Sequence, residues 1–362
     1  MLINIISSLK AGGAELLVRE LHKLYIGQNI HAYSIYLDGC SDKVNKNEII
    51  LGVNPRSPLN ILRIRKILKF LLRDAESNTV VHIHLTWPFL YVTLASLFLP
   101  SIKLIYTEHS TTNKRRYIPF IWVMDRWFYS RFSQIICISK GVERALANWV
   151  GPTIARRLVT IPNGARIYSL AERPSLEGRF PRLVSIGRLS STKNYITTIK
   201  AIAQLRGEVE TYTIIGEGPE RPRLERLIDD LKLGNKIRLL GWSDDIEAHL
   251  HAADMQLIPS LWEGFGLVAV EGMSTGLPVV ASNVDGLREV LDEGNPSVIF
   301  VDSPESVAEW VGCIRTSVEN ICDKGFTTIS TCSRQQAEKF TLEKMANQYL
   351  AIYRDVLAEP NN

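Results

Sequence analysis

Short runs rich in aliphatic and β-branched residues alternate with segments of helical period along the whole chain, and this alternation limits the possible folds more than any other feature. In the first half the predicted strands are Leu2–Ser7, Ala32–Leu37, Val80–His84, Leu104–Thr107 and Ile135–Ile138. Helical spacing covers 15–28, 58–75, 88–98, 118–131 and 140–149 between them. The second half repeats the pattern, with predicted strands at Arg182–Ile186, Thr211–Ile215, Lys236–Leu240, Met255–Ile258, Val279–Ala281 and Val298–Val301. Its predicted helices are 194–205, 219–232, 244–252, 265–275 and 304–317. Such β–α repetition calls for parallel sheets covered by helices, an α/β fold. A chain of 362 residues suits two doubly wound domains. The polar, turn-rich stretch from Pro162-Asn163-Gly164 to Pro181 is the predicted linker, giving domains at 1–165 and 181–340. An amphipathic helix near 341–357, within the tail 341–362, is expected to pack back on the first domain. Ligands of such folds sit beyond the carboxyl ends of the strands.

Composition excludes other classes. With 46% hydrophobic and 22% charged residues the chain is neither disordered nor an integral membrane bundle. The longest apolar stretch, Leu85 to Pro100, is broken by polar residues and falls short of the ~20 a spanning helix needs. Five scattered cysteines without a C-x-x-C pair point to a reducing compartment, and Met1 to Ile6 reads as a strand, not a signal peptide. A cytoplasmic location is expected. The net charge of +4 hides a division: residues 1–180 carry 24 Lys and Arg against 12 Asp and Glu, and residues 181–362 carry 18 against 26. One half therefore faces something anionic.

Three strand–loop–helix units carry candidate chemistry. After the first strand, Gly12-Gly13 precedes a helix, which is either a flexible turn or a place where backbone N–H groups meet an anion. Arg188 leaves a later strand and Lys193 falls near the next helix, a fork and a point charge fit to neutralise a diphosphate leaving group. The glycine that a Walker A loop has before its lysine is missing here. In the third unit Glu263 precedes Gly264-Phe265-Gly266, and Glu271 follows on the helix.

With Ser139-Lys140-Gly141, Ile161-Pro162-Asn163-Gly164, Gly216-Glu217-Gly218-Pro219, Leu240-Gly241-Trp242, Glu263-x7-Glu271 and Gly276-Leu277-Pro278, the chain resembles the retaining glycosyltransferases of the large GT4 family. That resemblance implies a GT-B fold, two facing Rossmann-like domains with an interdomain cleft. It implies that Glu271 holds the donor ribose, that Arg188 and Lys193 grip the diphosphate, and that Glu263 with the backbone of Phe265, Gly266 and Leu267 binds sugar and phosphate. Gly12 and Gly13 would close on the phosphates, Gly216 and Trp242 would edge the base, and His109 would lie near the reacting carbon. A nucleotide sugar, UDP-linked in preference to GDP-linked, is the implied donor, with no further cofactor and no protein nucleophile. The implied role is transfer to a glycan or polyprenyl-diphosphate-linked acceptor in bacterial envelope polysaccharide synthesis. Two local departures are Gly272 where the family has alanine, and Asp285 where it has glycine.

The basic half offers an acceptor or membrane face. On the predicted helix 58–75, Arg65, Lys66, Lys69 and Arg73 share one arc, opposite Ile64 and Leu68. Farther on, Arg115 and Arg116 precede Trp122, Trp127 and Tyr129, basic residues interleaved with aromatics. A contact with the cytoplasmic face of the inner membrane is expected from these features, with an ordinary surface helix and single-stranded nucleic acid as the alternatives, and no nucleic-acid module accompanies them. His82-x-His84 lacks a third metal ligand, so no metal is expected, and the pair packs under or lines the cleft. Glu263 and Glu271 also fit a glycosidase pair, which leaves the phosphate elements unexplained. A nucleotide-sugar epimerase of the same fold and a non-catalytic binder of anionic surfaces are the alternatives.

Overall fold

In the first unit, Met1–Gly164 with Leu342–Asn362, strands buried on both faces read as nearly unbroken apolar runs, as parallel sheets require. The computed structural model describes residues 1–9, 12–39, 44–73, 79–97, 99, 102–111 and 113–358. Lys10, Ala11, Cys40, Asp74, Ala75, Phe98, Pro100, the side chain of Lys114 and residues 359–362 lie outside the described residues. Along the chain come β1 (Leu2–Ser8), α1 (Gly13–Gly27), β2 (Ala32–Asp38), β3 (Glu48–Ile50), α2 (Asn60–Leu71), β4 (Thr79–His84), α3 (Thr86–Ala95) and β5 (Ile102–Glu108). Then follow α4 (Ile121–Ser130), β6 (Gln134–Cys137), α5 (Lys140–Val150), α6 (Pro152–Ala155) and β7 (Leu158–Thr160). The seven strands pair in parallel in the order β3-β2-β1-β4-β5-β6-β7. The order reverses between β1 and β4, the switch point where such sheets open a ligand crevice.

The second unit, Ala165–Thr341, repeats this plan. It contains β8 (Arg182–Ile186), α7 (Tyr195–Gln204), β9 (Thr211–Ile215), α8 (Arg221–Asp230), β10 (Ile237–Gly241), α9 (Ile246–His251) and β11 (Met255–Ile258). These lead into α10 (Leu267–Ser274), β12 (Val279–Ser282), α11 (Asp285–Arg288), β13 (Val298–Val301), α12 (Val307–Lys324) and α13 (Phe326–Ala337). Six parallel strands run in the order β10-β9-β8-β11-β12-β13, with the switch between β8 and β11. Its core holds Trp310, fully buried, with Nε1 donating to the Pro304 carbonyl at 2.9 Å.

The final helix, α14 (Leu342–Ala358), belongs to the first unit. Met345, Ala346, Tyr349, Tyr353 and Val356 form its buried stripe and pack with Leu2, Leu17, Leu21, Tyr25, Val80 and Ile105. Among the described residues no helix is long and apolar enough to cross a membrane.

Several elements differ from expectation. The edge strands β3 and β7 have three residues each, too few to show periodicity. Helix α12 runs on to Lys324, and α13 was not foreseen because its Thr- and Ser-rich start has weak helix propensity. The basic helix is shorter than 58–75, ending at Leu71. Residues 165–180 are not a free linker: Arg173 donates to the carbonyls of Ala253 at 2.9 Å and Leu250 at 3.0 Å, and Arg179 pairs with buried Asp254 at 2.8 Å, all within the second unit.

Candidate active site

At the switch point of the second unit, loops leaving β8 and β11 are tied to each other. Gly187 N–H donates to the Ile215 carbonyl at 2.9 Å, which fixes the backbone where Arg188 leaves the sheet. Arg188 is exposed and has no ion pair among the described residues. A single 3₁₀ turn, Ser191–Lys193, then brings Lys193 back to pair with Glu263 Oε1. Ser260 Oγ donates to the same oxygen at 2.9 Å, and Leu261 N–H donates to the Thr192 carbonyl at 2.8 Å. Lysine and glutamate thus hold each other in place, and Arg188, leaving β8 before them, is a cation without a partner among the described residues. A Cβ on Gly286 would stand 2.2 Å from the Glu263 carbonyl oxygen, so α11 can press against this loop only as glycine.

Helix α10 begins after Gly266, whose φ of 89° lies in the left-handed region, and no side chain caps the helix's first N–H groups. Phe265 contributes only backbone here, because its buried ring packs edge-on against Phe340 at 5.6 Å. Burial pushes the Glu271 carboxyl up to about 7, with the Arg166 guanidinium opposing that rise. One residue on, Gly272 lies against buried Gln256 of β11, whose Nε2 donates to the Val268 carbonyl at 2.9 Å. Gly216 N–H donates to the Gly241 carbonyl at 2.8 Å, and Trp242 beyond it is 61% exposed.

The first unit places its candidates at its own switch point. Gly12 caps α1 and Gly13 begins it, and the Glu15 carboxyl folds back over Gly12. Burial raises the pKa of Glu15. An anion at this helix end would therefore displace a flexible carboxylate. His84 ends β4 and His109 follows β5, with His84 Nδ1 3.2 Å from His109 Nε2. Burial lowers both pKa values, that of His109 to about 4.

Two family models match the chain: Glycosyltransferase Family 4 over residues 11–167, and Glycosyl transferases group 1 over residues 171–320. The chain is a GT4-type glycosyltransferase with the GT-B fold. It is 26% identical over 275 residues to a 2-deoxystreptamine glucosyltransferase of Streptomyces kanamyceticus, covering 70% of this chain and 68% of that one. It is 25% identical over 224 residues to a lipopolysaccharide core biosynthesis glycosyltransferase of Rhizobium meliloti, covering 60% and 63%. Anabaena HepE, solved in complex with UDP-glucose, superposes with a TM-score of 0.79 at 22% identity over 98% of this chain and 99% of that one.

Within this glycosyltransferase three of the predicted acceptor-side cations are internal, contrary to expectation. Arg115 donates to Asp125 Oδ2 at 3.1 Å and to Tyr129 Oη at 3.0 Å, beneath the surface. Arg116 pairs with buried Glu108 at 3.2 Å, and Tyr129 Oη donates to the same carboxylate at 2.9 Å. Arg65 Nη1 donates to the Leu97 carbonyl at 2.8 Å just past α3. Lys69 and Arg73 remain exposed. His82 and His84 are fully buried, and no cluster of three metal-ligating side chains exists among the described residues. Gln256 was not singled out from the sequence; Gly286 was noted only with Asp285, where the family has paired glycines, and not for its contact with the Glu263 loop.

Proposed function

We propose that this glycosyltransferase moves a sugar from a nucleotide diphosphate, UDP in preference to GDP, to a glycan or polyprenyl-diphosphate-linked acceptor with retention of configuration. The observation that carries this reading is the Lys193–Glu263–Ser260 constellation beside unpaired Arg188 at the carboxyl ends of β8 and β11. Cleavage of the glycosidic bond leaves its electron pair on the diphosphate oxygen. Cations held at that oxygen stabilise the developing charge without reorganising. Arg188 and Lys193 are suited to this, and Glu263 would exchange its bond to Lys193 for sugar hydroxyls when the donor arrives. The acceptor hydroxyl attacks the same face, and its proton passes to the departing phosphate oxygen, so no protein nucleophile is consumed. Glu271 would accept from the ribose hydroxyls. HepE's complex with UDP-glucose supports the choice of uridine.

For the acceptor, support comes from the surface around α4. Tyr117 is 81% exposed and Phe120 80%, and Ile118, Trp122, Val123, Met124 and Trp127 are also exposed. The Arg126 guanidinium lies 4.9 Å over the Trp122 ring. Exposed aromatics beside arginine suit the headgroup region of an anionic membrane, where a polyprenyl carrier resides. Envelope polysaccharide synthesis at the cytoplasmic face of the inner membrane fits both this surface and the lipopolysaccharide role carried in the name of the Rhizobium relative. The test is a panel of nucleotide sugars scored for thermal stabilisation, followed by product analysis with polyprenyl-diphosphate glycans. A uridine sugar should stabilise the protein and yield an axial product from an axial donor. Stabilisation by none of the panel, or an inverted product, refutes the reading.

A further inference from the structure

The hydrogen bonds of the three histidines at the ends of β4 and β5 restrict where their protons sit. His82 is engaged at both ring nitrogens, Nδ1 with Tyr353 Oη at 2.6 Å and Nε2 with Thr107 Oγ1 at 2.7 Å. Its ring lies 4.2 Å from that of His84, so α14 buttresses His84 through His82. His84 is engaged at one nitrogen only. Its Nδ1 meets His109 Nε2, and its Nε2 is buried without a partner. Burial holds all three rings neutral at physiological pH.

A bond between two neutral imidazoles needs one N–H and one lone pair, so two proton arrangements are available. If His109 Nε2–H donates, the proton of His84 must sit on Nε2, a buried N–H with no acceptor. If His84 Nδ1–H donates, the orphan is a bare lone pair. Buried N–H groups without acceptors are the rarer defect, and leaving one unpaired costs its full desolvation. The second arrangement is therefore favoured. With Nε2 of His109 accepting, its own proton lies on Nδ1.

We propose that His84 is a positioning residue that locks His109 in the Nδ1–H tautomer, so that His109 meets its ligand as a hydrogen-bond donor and not as a base. This rests on the transfer reaction proposed above and on the family resemblance, which implies that His109 lies near the reacting carbon of the donor sugar. It also agrees with that reaction's chemistry. A ring that offers N–H to a sugar oxygen takes no proton from the acceptor, which leaves the departing phosphate to do so.

The tautomer is read directly from the full chain labelled with ring-¹⁵N histidine, using long-range ¹H–¹⁵N correlations assigned through His84→Asn and His109→Gln. The expected spectrum shows His109 protonated at Nδ1 and bare at Nε2; the reverse pattern overturns the proposal. In transfer assays His84→Leu should lower kcat by about tenfold with little change in donor KM, as for the loss of one hydrogen bond. His84→Asn, whose amide N–H occupies the Nδ1 position, should recover to within about threefold of wild type by the same reasoning. Equal losses in both variants make His84 merely structural and overturn its positioning role. Should the leucine variant fail to fold, the wild-type spectrum and the asparagine variant still decide. Undiminished transfer by His109→Gln refutes the sugar-facing reading, whereas the spectrum tests the tautomer independently of it.

Discussion

Substituting Gly272 by alanine should destabilise the second unit, although the same change in an ordinary helix interior gains about 1 kcal/mol. An added Cβ would stand 1.9 Å from Gln256 Oε1, 2.7 Å from its Cδ and 3.2 Å from its Nε2. Gln256 is fully buried on the central strand β11, between β8 and β12, and cannot swing into solvent. It must shift by more than an ångström or push α10 away. Overpacking of this kind costs roughly 1–3 kcal/mol. Breaking the Nε2–H bond to Val268 leaves a buried amide unpaired for about another 1–3 kcal/mol. After the helix gain is subtracted, a net loss of roughly 1–5 kcal/mol remains, a Tm lower by about 2–20 °C for a unit of this size. The decisive measurement is a double-mutant cycle by calorimetry on the full chain. Gln256→Ala alone should also destabilise by opening a cavity, and the pair Gln256→Ala with Gly272→Ala should be more stable than the sum predicts by about 2 kcal/mol. Because Glu271 adjoins Gly272, the single glycine variant should also raise donor KM more than it lowers kcat. A Gly272→Ala protein as stable as wild type, or strict additivity in the cycle, refutes the steric argument.

Four further outcomes follow from the site. Arg188→Ala should cut kcat by about 10²–10³-fold while leaving Tm nearly unchanged, because its guanidinium has no partner to lose; a wild-type rate in transfer assays contradicts its role at the diphosphate. Lys193→Met should be rescued in stability, but not in activity, by adding Glu263→Gln, since the pair is broken on both sides; denaturation and turnover measured together check this. The carboxyl of Glu271 is raised to about 7 from 4.5, so its burial costs nothing below pH 4.5, increasingly more as pH rises from 4.5 to 7, and no more beyond that. Glu271→Gln should thus gain up to about 3 kcal/mol of stability over wild type at pH 8 but not at pH 4.5, a difference that urea titrations at both values would reveal. Replacing Trp122 and Trp127 by serine should abolish flotation with anionic vesicles without altering turnover on a soluble acceptor analogue; unchanged flotation excludes the α4 surface as the membrane contact.

Both sheets were legible because their strands are buried on two faces. A run such as Val80-Val81-His82-Ile83 or Met255-Gln256-Leu257-Ile258 has little freedom to be anything else, and their order then puts Arg188 and Glu263 at one switch point. Charged side chains carry no such signal. On a helical wheel Arg65 looks like Lys69, yet a carbonyl past α3 draws one inward and nothing draws the other. Arg115 and Arg116 precede aromatics as membrane-facing cations do, but Glu108 at the end of β5 and Asp125 on the buried side of α4 turn them into the first unit, and where those carboxylates lie is set by tertiary packing, which local spacing does not reveal. The surplus of twelve positive charges in residues 1–180 therefore overstates the outward field, because several of the cations compensate buried acids. What reaches the surface near α4 is arginine stacked on tryptophan amid exposed aromatics, a contact made more by apolar area than by charge. The same logic governs Gly272. Read along the helix it is a defect, and read across to Gln256 it is the space that a buried amide on the central strand requires.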